Sequence, residues 1–277
     1  MWCGVVKWRA LRRALVCAAL AMVSGTALAD DVAPGAGDTG AWDAVVEIDP
    51  RLATIETWTG GSRTGTGWAL YHGMTWSPFG TLREDGFRIR ASGAQGRSTY
   101  DGIALVSPIG TPEQFAPQRY VSTTLSGSGM IGYQLSTRSL TIKAFGGIAM
   151  GLKRDNPYDP SDPDQRRRLG AAGALEGWLD LGRAFIQLDT SFGQIDRTAN
   201  ARLRAGWRIT DDISIGPEAS AGRSRSTAAI IPATHAAYGA FARMTWDRGE
   251  VSASAGIAHD STAGAARTFT VQYLYRY

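Results

Sequence analysis

The stretch Phe269–Tyr277, FTVQYLYRY, puts Phe, Val, Tyr, Tyr and Tyr on odd positions, with Thr, Gln, Leu and Arg between them. Successive side chains of a β-strand point to opposite faces, so one face is aromatic and apolar while the other carries Gln272 and Arg276. Strands of soluble sheets usually run to roughly five or six residues. This run has the length a tilted strand needs to cross a bilayer, about 9–11 residues. The pattern therefore predicts a wall with hydrocarbon on one side and water on the other. Phe269, Val271, Tyr273, Tyr275 and Tyr277 are expected to face lipid.

The same alternation recurs upstream from about residue 53, with no helical period of useful length. Phe87, Ile89 and Ala91 alternate with Arg88 and Arg90, and the run Leu140 to Met150 opposes Lys143. Leu169 to Leu181 opposes Glu176 and Asp180, and Ala184 to Phe192 opposes Asp189. Further on, Ala201 to Ile209 opposes Arg202, Arg204 and Arg208, Ile213 to Ala221 opposes Glu218, and Tyr238 to Trp246 opposes Arg243. Turning an arginine of this set toward lipid costs about 2–4 kcal/mol at the bilayer midplane. That energy assigns Arg88, Arg90, Lys143, Glu176, Asp180, Asp189, Arg202, Arg204, Arg208, Glu218 and Arg243 to the lumen. Read structurally they form salt-bridge ladders that plug it; read functionally they are a polar lining for ions or a glycan. Aromatics expected beside them are few, chiefly Tyr71, Phe145, Trp178 and Phe241.

The links between these runs alternate in length. Short turns fall at Thr137-Arg138, Gly182-Arg183, Asp211-Asp212 and Arg248-Gly249, with a somewhat longer one at Phe79–Leu82. Longer polar or Pro-rich links fall at roughly 98–121, 151–167, 223–234 and 259–266. Short periplasmic turns alternating with longer outer loops are the bacterial barrel arrangement. The fold expected is all-β, a transmembrane antiparallel up-and-down barrel over 53–277. It counts twelve strands when a weak one near 53–60 is included, and ten if that segment and one other are not membrane strands. Trp58, Trp68, Trp76, Trp178, Trp207 and Trp246 lie at or near strand ends, where interfacial aromatic girdles belong.

Ahead of the barrel, Lys7, Arg9, Arg12 and Arg13 precede the apolar run ALVCAALAMV and small residues ending Ala27-Leu28-Ala29. These are the parts of a cleaved secretory signal over 1–29, and 30–52 reads as a flexible periplasmic lead-in. Both cysteines, Cys3 and Cys17, fall inside the signal. So do the four basic residues behind the net charge of +4, which leaves 25 basic against 25 acidic residues. The balance excludes a nucleic-acid partner argued from charge.

Chemistry is sparse. The His259-Asp260-Ser261 stretch holds triad residue types, but neighbours on one strand point different ways. His72 shares parity with Trp68, Leu70, Met74 and Trp76, and His235 precedes a strand. Asp155–Asp164 is dense in oxygen ligands, yet it lacks the Gly and distal Glu of a calcium loop. No metal, cofactor or catalytic residue is assigned. The following Arg166-Arg167-Arg168 reads first as part of a solvated loop; the alternatives are pairing with these acids or with lipopolysaccharide phosphates, which arginine suits.

Three stretches together carry a resemblance: YHGMTWSPFGTLREDGFRIRASGAQGRSTYDG (71–102), MIGYQLSTRSLTIKAFGGIAM (130–150) and DPSDPDQRRRLGAAGALEGWLDLG (159–182). The pattern G-x-x-W-x-P-x-G-x-L-x-x-DGFRIR resembles the opening of the cellulose biosynthesis protein BcsS family of alphaproteobacteria, and the later segments are similar to it as well. The resemblance implies a non-enzymatic barrel of the bacterial outer membrane, accompanying cellulose synthesis and export. It implies cellulose or cellulose-secretion components as partners, besides outer-membrane lipid and lipopolysaccharide, and it carries over no catalytic residue. The other readings are a small-solute porin or structural outer-membrane protein, and a lipid- or glycan-modifying barrel enzyme. The aromatic ending at Tyr277 resembles the signal read by the outer-membrane assembly machinery, with this last strand pairing to the first.

Overall fold

A computed structural model describes residues 52–105, 115–157, 167–224, 233–261 and 264–277. The expected signal segment and nearly all of the lead-in lie outside the described residues. Twelve strands follow one another: β1 Ile55–Thr64, β2 Gly67–Trp76, β3 Gly86–Leu105, β4 Phe115–Ser136, β5 Leu140–Asn156 and β6 Arg167–Leu181. After them come β7 Ala184–Gly193, β8 Thr198–Arg208, β9 Ile213–Ser224, β10 Ala233–Trp246, β11 Gly249–Asp260 and β12 Gly264–Arg276. Each pairs antiparallel with its sequence neighbours, and β12 pairs with β1 to close the ring. The closing register sets Thr57 against Tyr275 and Gly61 against Val271. Tyr277 adds three bonds beyond the ladder: its N–H donates to the Ile55 carbonyl at 2.8 Å, and its carbonyl accepts from Thr54 N–H at 2.9 Å and from Ile55 N–H at 3.4 Å. Closure matters because backbone groups cannot stay unpaired against hydrocarbon.

The segment near 53–60 is thus a full strand, and the count is twelve. Four strands reach 15 residues or more, with β3 at 20 residues, β4 at 22, β5 at 17 and β6 at 15. Much of what reads in the sequence as the 98–121 link is strand, paired from Ser98↔Ser122 to Leu105↔Phe115. One side of the barrel therefore rises as a tall wall. Among the described residues two outer links are short: β1 joins β2 through Gly65-Thr66, where Gly65 takes a positive φ of 56°. A single turn of 3₁₀ helix, Ile195–Arg197, joins β7 to β8. The alternation of short and long links is weaker than the residue pattern predicts, because Gly, Asn and polar residues at strand ends look alike in a loop and in a β-extension.

Large apolar side chains cover the outside, among them Trp68, Trp76, Ile131, Leu169, Trp207 and Tyr238, all exposed. Tyr273 stacks on Tyr275 with ring centres 6.4 Å apart, and Tyr275 meets Tyr277 edge-on at 4.8 Å. Two tryptophans depart from the expected girdle. Trp58 and Trp178 share parity with Glu56 and Glu176 and point into the lumen, where both meet arginines. Their aromatic type suggested an interface, but parity decides the side. What is buried inside is mostly polar: Arg88, Arg90, Gln134, Arg204, Arg243 and Ser252 outnumber a small apolar cluster of Met130, Phe145 and Ala172.

Candidate functional site

The lumen is built from rings, glycines and guanidinium groups. A ring can lie flat against the wall only where the neighbouring strand has no side chain. Gly60 lies under Tyr71, and a Cβ there would sit 2.5 Å from the phenol ring. Gly73 leaves the same space for Trp58. Phe145 and Phe185 lie over Gly132 and Gly206 in the same manner. Flattened rings then present their faces to cations, an attraction worth up to about 2 kcal/mol when desolvated. Arg90 stands 3.8 Å from the Phe145 ring centre and 5.0 Å from that of Trp58. Arg243 sits 4.1 Å from Phe185 and 4.5 Å from Trp178, rings that themselves stack at 4.4 Å. Arg204 lies 5.0 Å from Phe241.

Ion pairs complete the filling. Four are direct cross-strand partners on one rung of the ladder: Asp189 with Arg202 at 2.8 Å, Glu56 with Arg276 at 3.0 Å, Lys143 with Glu176 at 3.8 Å, and Glu218 with Arg204. Others reach over intervening strands. Arg90 on β3 meets Glu176 on β6 at 2.6 Å, and Lys143 on β5 meets Glu56 on β1 at 3.7 Å. Arg208 on β8 pairs with Asp180 on β6 at 2.8 Å, and Arg243 comes within 4.0 Å of Glu250. These bonds cross the space a pore would use. A polar cavity of about 1310 Å³ remains among them, reaching from Arg138 and Asp211 at the turn end to Ser191, Asn200 and His235 at the loop end.

Ten of the eleven predicted lumen charges therefore face this interior, and all ten stand in the cavity wall or its ion pairs, together with Glu56, Glu250 and Arg276. Arg88 is the exception. It is buried at the turn end, where it donates to the carbonyls of Phe87, Thr81 and Glu84 and to Ser77 Oγ at 3.0 Å. Gln134 joins it by donating to the Leu82 carbonyl at 2.9 Å. Together they pin the 77–85 link rather than line the lumen. Glu56 and Glu250 escape a reading from alternation because they begin or precede their apparent runs. The signal that exposes them is charge balance: the predicted set holds seven cations against four anions, and arginines buried in a wall need partners.

The chemical candidates separate on the strands. His259 faces outward and Asp260 inward, so the triad-like stretch is split by the wall. His72 faces outward against Gly93. Asp155 is held on β5 by Tyr100 Oη at 3.0 Å and Lys153 at 3.7 Å, while 158–166 lie outside the described residues. Among the described residues no cluster of His, Cys, Asp and Glu could hold a metal. Arg167 faces out and Arg168 in, so the arginine run is two sites rather than one patch; Arg166 lies outside the described residues.

The sequence pattern of the family described as cellulose biosynthesis protein BcsS matches residues 57–267. Curated proteins include no match. Among solved structures, the COG4313 outer membrane channel from Pseudomonas putida F1 is 11% identical with a TM-score of 0.45, over 87% of this chain and 100% of that one. The β domain of the Bordetella autotransporter BrkA is 17% identical with a TM-score of 0.44, over 82% and 100%. The KdgM porin is 10% identical with a TM-score of 0.39, over 80% and 99%.

Proposed function

Since the chain belongs to the family of cellulose biosynthesis protein BcsS, we propose that it is a non-enzymatic barrel of the outer membrane that assists cellulose secretion or anchoring without threading the glucan through its lumen. One observation carries this reading: the lumen is tied across by Arg90–Glu176 and Lys143–Glu56, pairs between strands that are not neighbours. A passing polymer would have to break them, and stripping one partner from a buried pair costs about 3–5 kcal/mol. Twelve strands also make a narrow cylinder, whereas open aqueous channels belong to barrels of about 16–18 strands. Contact with the glucan or with secretion components then falls to the outside, where the β3–β6 wall stands above the rest of the rim.

A deletion strain of a cellulose-producing host tests this. Cellulose yield or its retention at the surface is expected to fall, and to recover with the wild-type gene; unchanged yield and retention overturn the proposal. The residual polar cavity favours a second reading, a pore for small solutes. Planar-bilayer recordings separate the two. Steady solute-permeable conductance together with a normal cellulose phenotype would favour the pore. Loss of phenotype on replacing His72 or His259 by Ala would instead revive an enzyme.

A further inference from the structure

The outer face of β1–β6 carries a pattern that the lumen does not explain. Ladder register stacks its outward side chains into rows. One row runs Thr59, His72, Gly93, Gly127, Met150, Leu169. The next toward the loop end runs Gly61, Leu70, Gln95, Leu125, Leu152, Arg167. Above it stand Arg63, Trp68, Arg97, Thr123 and Arg154. Gly93 and Gly127 are neighbours in the first row and lack side chains; the His72 ring leans over Gly93, and the wall is hollowed beside it at Gly127. A groove of about 720 Å³ opens outward, floored by the two glycines and walled by Leu70 and His72 on one side and by Met150 and Leu152 on the other. Leu125 and Leu169 stand exposed at its edge.

The rows also fix the groove's depth. Trp68 and Trp76 face outward near opposite ends of β2, and interfacial tryptophans mark the hydrocarbon boundary. Arg63 and Arg97 flank Trp68 in its row, so the arginines sit at the outer boundary with the groove just beneath. Counted from Ser136, Leu125 lies where a tilted strand has used up the residues needed to cross. An apolar hollow topped by guanidinium groups is complementary to a lipid with acyl chains below and phosphate above.

We propose that this face is a seat for lipopolysaccharide, with an acyl chain of lipid A in the groove and its phosphates on Arg97, Arg154 and Arg167. Guanidinium forks bind phosphate bidentately. Arg97 and Arg154 share a row two strands apart, about 10 Å at the usual strand spacing. Two phosphates on one disaccharide head engage both, whereas a phospholipid offers one. A second copy of the chain fits poorly, since a two-fold contact would set arginines against arginines. Among the described residues, the outward face of β1–β6 holds one acid, Asp101, already paired with Arg119 at 3.7 Å. The proposal rests on the outer-membrane placement above and is independent of any part in cellulose export.

The test is titration of the purified full chain in mild detergent with lipopolysaccharide, phosphatase-treated lipopolysaccharide and phosphatidylglycerol, read by native mass spectrometry. Heat-modifiable migration first confirms that each variant is folded. Wild type is expected to prefer lipopolysaccharide over the other two by about tenfold or more, and R97Q/R154Q/R167Q to lose that preference. Gly127→Leu fills the groove from a position where a Cβ meets Met150 at an ordinary 3.7 Å, and should weaken binding with all arginines present. R183Q, at a periplasmic turn, removes one positive charge and should bind as wild type. Equal binding of all three lipids, undiminished binding in the folded triple variant or G127L, or a lipid-free dimer through this face each overturns the seat. Fractionation of the protein away from the outer membrane would overturn the placement while leaving the titration to judge the seat.

Discussion

Replacing Glu176 by Gln removes one charge from the centre of the lumen while keeping size and shape. Arg90 then loses a carboxylate at 2.6 Å, and Lys143 loses one at 3.8 Å but keeps Glu56 at 3.7 Å. The Arg90 side chain is 8% exposed, so water replaces little of the lost interaction. Orphaning a buried charge costs about 3–5 kcal/mol. Arg90 retains Thr75 Oγ1 at 3.3 Å and the Phe145 and Trp58 faces, and cation–π contacts of this kind hold up to about 2 kcal/mol. The expected net loss is therefore about 1–3 kcal/mol. Urea unfolding from lipid vesicles, followed by tryptophan fluorescence, reads it as a lowered midpoint with an unchanged slope. A double-mutant cycle with Arg90→Met isolates the pair and is expected to show coupling of about 1.5–3 kcal/mol. Destabilisation by E176Q of less than about 0.5 kcal/mol, or additive single mutants, would refute the idea that the cross-lumen tie holds the barrel.

Adjacent glycines on β5 should respond oppositely. Gly147→Val drives a side chain into the Met130 Cα, 2.7 Å from a built Cβ, and should cost about 1–3 kcal/mol, whereas Gly146→Ala enters open space outside and should stay within about 0.5 kcal/mol in the same unfolding assay. Arg88→Met removes the buried donor that pins the 77–85 link to three carbonyls and should make that link susceptible to trypsin at Arg83, read by the rate of cleavage in folded barrels. Protection equal to wild type would show the link to be held otherwise. Deleting Tyr277 removes three backbone bonds of the closing pair and should lower the heat-modifiable fraction in outer membranes far more than trimming residues 30–40; a normally inserted truncation would count against the closing role.

Residue alternation was enough to read the wall. Arg202, Arg204 and Glu218 could be placed inside from their own strands, because an arginine facing hydrocarbon is expensive wherever it sits. Cross-strand partners such as Asp189 and Arg202 follow nearly as directly, since a short turn sets hairpin register. Trp58 is the misreading: residue type points it to the interface, whereas parity turns it into the lumen, and Trp178, which the pattern offers to both, takes the lumen side. Arg88 was placed on the correct side but in the wrong role, since nothing in a strand pattern says that a guanidinium will turn down to a link.

Sequence alone, then, determined which side of the wall each residue takes, because side-chain direction follows from a period of two along a single strand. Only the closed tertiary structure decided which charges meet across the lumen and which outward rows align. Arg90 finds Glu176 three strands away, and Lys143 finds Glu56 four strands away. Those distances depend on how far the sheet curves and how its registers accumulate around the ring, and no local pattern encodes that sum. The groove between Gly93 and Gly127 has the same origin: two glycines far apart in the chain become one hollow when their strands pair.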